Sequence, residues 1–327
     1  MTQLVIYAPN WLGDAVMALP AIADVRRAFP GVRVAIAARA AVAPLFALVP
    51  DVDVLTVDRG GRFDSSEAAG SRRFDAALLL PNSFKSALAA WRAGIPERWG
   101  YRTDCRGPLL TRSVPTVRGR HQAEYYQHLT ASLGFAAGPL QPRIDVPADL
   151  RARASALLSA AGWNGQTPLA SLAPGAAYGG AKKWPAAAFG ELASGLSADG
   201  VTCVLVGSAA DAAAGRDVAD AVVNQRRPID LIGQTDLPLL AGVLASCRAL
   251  VSNDSGAMHF GAAVGVPVTA MFGPTNEQAT RPLGPAHSVL THEVWCRPCM
   301  LRECPLDHRC MRGIAVEDVL AAARRSL

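Results

Sequence analysis

Lysine is nearly missing from this 327-residue chain: Lys85, Lys182 and Lys183 are the only three among 32 basic residues, and arginine supplies the rest. With so many alanines alongside, the skew reflects a biased genome, so the net charge of +5 carries less meaning than the adjacent pair Lys182-Lys183. Also missing is any apolar run of the roughly eighteen residues that a membrane span needs. The start, Met1–Asn10, lacks the basic beginning and long apolar centre of a secretion signal, so a cytoplasmic protein is expected. Aromatics make up 6% of the chain, and no basic helix carries base-reading spacing, which speaks against nucleic acid as a partner. Two nucleotide-binding signatures are absent as well. The turn Pro9–Val16 offers Gly13 where a dinucleotide fold would have Gly-x-Gly-x-x-Gly, which argues against a nicotinamide oxidoreductase. In Ala173–Pro185, Gly175 and Gly180 have the Walker A separation, but Ala181 precedes Lys182 and no Ser or Thr follows to hold magnesium.

What is present is an alternation of short apolar runs with helical-period segments. Leu4–Pro9, Val32–Ala38, Val52–Val57 and Ala76–Pro81 read as strands covered on both faces. After the Pro-containing stretch Gly138–Pro147 and a helix at Ala148–Ala161, a second series begins. Its strands are Leu169–Ala173, Val201–Val206, Asp230–Ile232, Ala249–Val251 and Val268–Phe272; its helices are Pro185–Ser197, Ala209–Asn224 and Leu237–Arg248. The pattern predicts two doubly wound, Rossmann-like α/β domains, residues 1–160 and 161–327. In such sheets ligands sit outside the carboxyl ends of strands, so facing sheets would form a central cleft supplied by loops of both. Between Arg59 and Arg120 there are twelve Lys or Arg against five Asp or Glu, which suits either an anionic partner or a solvated arginine face.

The loops after Pro9, Leu80, Ala173 and Val251 are the candidates for the cleft, and five segments of the chain have residues worth weighing for chemistry. Ser252–His259 reads strand, polar turn, helix. The first N–H groups of such a helix are unpartnered and suit a phosphate, with Gly256 allowing close approach; an ordinary helix start capped by Asp254 or Ser255 is the alternative. Pro174 and Gly175 open a small-residue loop that ends in Lys182 and Lys183, either phosphate-neutralising cations or solvated lysines. Asp14 follows Asn10 in the first helical turn, where it could take a proton from a hydroxyl or serve only the helix dipole. Asp51-x-Asp53 precedes its strand and so should lie at the wrong sheet edge for a metal. Cys296, Cys299, Cys304 and Cys310, with His308, crowd the C-terminal region as a zinc or cluster set with unusually short gaps, or as packed thiols in a reducing compartment. Cys105, Cys203 and Cys247 read as buried small apolar residues.

Taken together, Asn10–Val16, Leu80–Ala87, Ala181–Pro185, Ser252–His259, Phe272–Thr275 and the cysteine tail resemble glycosyltransferase family 9, the ADP-heptose:lipopolysaccharide heptosyltransferases. The Asn82–Ala87 segment and the tail favour its type II branch over type I. The resemblance implies a GT-B fold with the acceptor on the first domain and the nucleotide sugar on the second. It implies inverting transfer from ADP-L-glycero-β-D-manno-heptose to the first heptose of the Kdo-lipid A inner core, at the cytoplasmic face of the inner membrane, with no obligatory cofactor or metal. By the same resemblance, Asp14 is the general base, Lys182 binds the diphosphate, and Asp254, Ser255 and Gly256 with His259 form the donor loop, beside Pro174, Gly175 and Lys183. Asn10, Asn82, Ser83 and Lys85 are acceptor-side candidates. The Thr-rich phosphate loop of some relatives is replaced here by Ala176-Ala177-Tyr178. A type I enzyme, another nucleotide-sugar transferase or epimerase, and a non-catalytic nucleotide- or metal-binding module are the alternatives.

Overall fold

The computed structural model describes residues 1–63, 74–223 and 226–327. They form two compact units, Met1–Pro142 and Arg143–Leu327. The first contains β1 (Gln3–Tyr7), α1 (Leu12–Met17), α2 (Leu19–Ala28), β2 (Arg33–Arg39), α3 (Ala43–Phe46), β3 (Asp53–Val57), β4 (Ala76–Leu79), α4 (Phe84–Arg92), β5 (Glu97–Tyr101), β6 (Arg112–Val114) and α5 (Gln122–Ser132). Its six strands are all parallel in the order β3-β2-β1-β4-β5-β6. Leu4, Val5 and Ile6 of β1 and all four residues of β4 are fully covered, which is why these segments read as continuous apolar runs.

The second unit contains α6 (Ala148–Ala160), β7 (Leu169–Ala173), α7 (Ala186–Ala198), β8 (Thr202–Leu205), α8 (Ala212–Asp220), β9 (Ile229–Asp230), α9 (Leu237–Ala245), β10 (Ala249–Asn253), α10 (Gly256–Val264), β11 (Val268–Phe272), α11 (Glu277–Thr280), β12 (Ser288–Thr291), α12 (Arg309–Arg312) and α13 (Val316–Arg324). The strand order β12-β11-β10-β7-β8-β9, again all parallel, repeats the first topology. Each sheet therefore reverses direction beside its first strand, at β1/β4 and at β7/β10, the crevices where open α/β sheets take ligands.

The unit boundary falls at 142/143, not 160/161, because α6 packs on α9. Gly242 of α9 makes that approach possible: a Cβ there would meet the Leu150 carbonyl oxygen at 2.5 Å. The helix expected over Ala209–Asn224 is a 3-10 turn at Ala209–Asp211 followed by α8, and Asn224 lies outside the described residues. Three strands lacked a sequence signal. β5 starts with Glu97 and Arg98, β6 is a three-residue edge strand, and β12 is a half-exposed edge. Asp51 precedes β3 and Asp53 is its first residue; they are engaged by Arg26 at 2.9 Å and Arg33 at 2.6 Å, an ion-pair role at the strand's start.

Candidate active site

Both switch points carry candidate residues. In the first unit, the turn after β1 brings Asp14 to the third position of α1, whose start has no side-chain cap. A carboxylate there complements the helix dipole. The buried Tyr126 hydroxyl, from α5, donates to Asp14 Oδ1 over a long 3.4 Å. Burial, with the Asp14 charge second, raises the Tyr126 phenol well above its usual pKa, so it stays a donor.

After β4, Asn82, Ser83 and Lys85 are exposed, as is Asn10 after β1. The Asn82 side chain donates to the Tyr125 hydroxyl at 3.0 Å, and the Asn82 backbone carbonyl accepts from Thr103 Oγ1 at 2.7 Å. The Ser83 hydroxyl accepts from the Ser86 N–H and caps α4, a structural duty that the sequence reading did not give it. Arg106, fully buried, braces this loop: it donates to the Pro81 carbonyl, to Ser86 Oγ at 3.0 Å and to the Tyr101 carbonyl at 2.9 Å. Burial pushes its pKa down to about 10.

In the second unit, Lys182 Nζ lies 2.5 Å from Asp254 Oδ2, which also accepts from Thr275 Oγ1 at 2.6 Å. Asp254 thus pairs with the lysine and does not cap α10. Ser255 takes the cap position without a side-chain bond, so the helix start at Gly256 carries no side-chain cap. Asn253 ties the two loops together: its Oδ1 accepts from the Trp184 N–H at 3.0 Å and its Nδ2 donates to the Pro174 carbonyl at 2.8 Å. His259 is buried on the same helix, and Lys183 is exposed. Gly175 faces Asp211, whose Oδ1 a Cβ would meet at 2.3 Å, so its smallness serves packing against the Ser208–Asp211 capping box.

The cysteine-rich segment lies against this loop. Tyr178 donates to the Met300 carbonyl at 2.7 Å, Ala181 N–H to the Arg302 carbonyl at 2.9 Å, and Gly180 N–H to Glu303 Oε1 at 2.9 Å. Among the described residues, no three His, Cys, Asp or Glu side chains converge as a metal site. All seven thiols are free. Burial, then the neighbouring Cys296, Cys299 and Cys304, raise the Cys310 thiol. Cys203 and Cys247 are buried and pushed up to about 12, in line with an apolar role. Cys105, expected to be buried with them, is exposed on a left-handed turn at φ 55° beside Asp104.

A family model for glycosyltransferase family 9 (heptosyltransferase) matches residues 64–309. The chain belongs to glycosyltransferase family 9. It is 31% identical over 301 residues, 86% of this chain and 85% of that protein, to lipopolysaccharide heptosyltransferase 2 of Salmonella typhimurium strain LT2. It is 32% identical over 302 residues, 86% of each chain, to lipooligosaccharide heptosyltransferase 2 of Haemophilus ducreyi. The structure of Escherichia coli ADP-heptose lps heptosyltransferase II superposes with a TM-score of 0.84 at 28% identity, covering 99% of this chain and 98% of that one. This family 9 chain is therefore a glycosyltransferase with the two-sheet GT-B architecture. Tyr126, Arg106, Asn253 and Thr275 were not among its sequence candidates. Asn253, directly before Asp254, had a positional signal; Tyr126 and Arg106 had none, since their duties come from distant segments.

Proposed function

We propose that this enzyme moves L-glycero-D-manno-heptose from ADP-L-glycero-β-D-manno-heptose onto the first heptose of the Kdo-lipid A inner core, with inversion at the anomeric carbon. The observation that carries the reading is the placement of Asp14 at the switch point of one sheet and of Lys182 with the start of α10 at that of the other, in a family 9 chain similar to heptosyltransferases 2. Asp14 takes the proton of the acceptor hydroxyl as its oxygen bonds to the anomeric carbon. The bond from that carbon to the diphosphate breaks, and its electron pair leaves with ADP. Lys182 and the α10 N–H groups stabilise the charge that develops there. Asn10, Asn82 and Lys85 contact the acceptor. No obligatory metal is part of this reading, and transfer is expected to continue in EDTA.

The test is transfer from ADP-heptose to acceptors ending in Kdo, one heptose or two. Product with the one-heptose acceptor alone is expected; product only with the Kdo-terminated acceptor would make this a type I enzyme. Replacing Asp14→Asn should lower turnover by roughly 10²–10⁴-fold. Full activity in that variant would remove Asp14 as the base. The acceptor is a lipid, so the enzyme works as a peripheral protein at the cytoplasmic face of the inner membrane. Among the described residues no helix is long and apolar enough to cross a membrane.

A further inference from the structure

Four consecutive amides at the end of the phosphate loop are already engaged within the protein. Gly180 N–H goes to Glu303, Ala181 N–H to the Arg302 carbonyl, Lys182 N–H to the Gly179 carbonyl, and Lys183 N–H to the Gly180 carbonyl. The amides of Gly180 and Ala181 are therefore spent on the segment Met300–Glu303, and those of Lys182 and Lys183 on the loop's own turn. That segment is itself fixed to a second donor-side loop, because Met300 N–H donates to the Pro274 carbonyl at 2.8 Å. What the loop presents is side-chain charge. Lys182 is already matched by Asp254, and Glu303 adds a second carboxylate at Gly180. One lysine beside two carboxylates cannot neutralise a nucleoside diphosphate.

Arg302 supplies the missing cation. Its guanidinium stands over the Tyr178 ring with Cζ 5.1 Å from the centroid, and Lys182 Nζ stands 4.6 Å from the same centroid. The two distances cap the separation of the cations at about 10 Å. Tyr178 is anchored through its hydroxyl to Met300, so ring, arginine and lysine share one frame. An aromatic face holds a guanidinium by cation–π attraction and leaves its N–H fork free for phosphate oxygens. We infer that Arg302, carried by the C-terminal segment and oriented by Tyr178, is a second cation for the donor diphosphate and sets the preference for a diphosphate over a monophosphate. This rests on the ADP-sugar reading above.

Calorimetric titration of the full chain with ADP and with AMP tests it, using wild type, Arg302→Gln, Arg302→Lys and Tyr178→Leu. Arg302→Gln should weaken ADP about tenfold, weaken AMP by less than threefold and flatten the salt dependence of ADP binding. Arg302→Lys should recover part of the loss. Tyr178→Leu should lower the ADP-to-AMP affinity ratio without removing a charge. Wild-type ADP affinity in Arg302→Gln overturns the inference, and so does an equal loss for ADP and AMP, which would make Arg302 a structural support only. Failure of the wild type to bind ADP is a separate result: it removes the ADP-sugar reading, and the inference with it.

Discussion

At the scale of single residues, the contact between Tyr126 and Asp14 decides how the proposed base behaves. A hydroxyl donating to a carboxylate favours its charged form, and Tyr126 is held protonated by burial. In Tyr126→Phe that donor is lost while the ring still fills its place. The Asp14 carboxyl then protonates more readily, so the acidic limb of the kcat profile should move to higher pH, with little change at alkaline pH. An unmoved limb in a folded variant would show that the contact does not tune the base. Lys182 offers the complementary case. Charge-assisted contacts to phosphate are strong, so Lys182→Met should raise KM for the sugar nucleotide and lower kcat together, by roughly 10²-fold in kcat/KM. It also strands Asp254, leaving a buried carboxylate with Thr275 as its remaining partner in the site. Asp254→Asn in the same chain should therefore restore stability without restoring activity, a separation that thermal melts and kinetics measure side by side.

At the scale of elements, the loop between β7 and α7 takes its shape from a segment more than a hundred residues away in sequence. Gly179 has φ 157°, and a Cβ there would sit 2.2 Å from the Arg302 carbonyl oxygen. Gly179→Val should force Met300–Glu303 off the loop, cost about 1–3 kcal/mol of stability and raise KM for the donor. A melt and a KM matching wild type would show that the packing is dispensable. This dependence also marks the limit of what sequence makes legible. β7 and β11 could be read to the residue because Leu169–Ala173 and Val268–Phe272 are buried throughout and apolar except for one small polar residue each, Ser171 and Thr269. Asp14, Lys182 and the α10 start were legible because strand–turn–helix spacing puts them at carboxyl ends. The Asp254 pair with Lys182 and Thr275 was not, since nothing local distinguishes a carboxylate that caps a helix from one that turns toward a distant lysine. Nor were β5 and β12, whose charged or half-exposed residues break the continuous apolar pattern. α6 joined the wrong unit because its docking depends on Gly242, a residue whose smallness has meaning only against Leu150 and Ala154.

At the scale of the whole molecule, each unit has its own core and its own buried polar knot. Asp24 is fully buried in the first unit, where it accepts from Gly138 N–H at 2.9 Å, from Gln127 Nε2 at 3.0 Å and from Arg27. Asp24→Ala leaves the Gly138 and Gln127 donors without this acceptor and should cost about 2–4 kcal/mol. Its partners all lie in Met1–Pro142, so ADP affinity, proposed to rest on the second unit, should stay within about twofold of wild type while Tm falls. Charge is distributed as unevenly as these duties. The excess of seven basic residues between Arg59 and Arg120 lies in the first unit, which we propose takes the lipid acceptor, and Lys85, Arg92, Arg102, Arg118 and Arg120 are all exposed there. On α4, Phe84 and Trp91 are 40% and 53% exposed and lie seven residues apart, about two turns along one helix face, next to Lys85 and Arg92. Cations beside aromatics suit an anionic bilayer surface, where basic residues contribute about 1 kcal/mol each and salt screens them. The protein should therefore sediment with vesicles containing phosphatidylglycerol at low salt, leave them at 0.5 M salt on the order of a 4–5 Å Debye length, and ignore vesicles of phosphatidylcholine alone. Arg92→Glu with Trp91→Ser should weaken that binding while leaving ADP affinity unchanged. Equal binding to neutral and anionic vesicles would mean that the basic face is only a solvated surface.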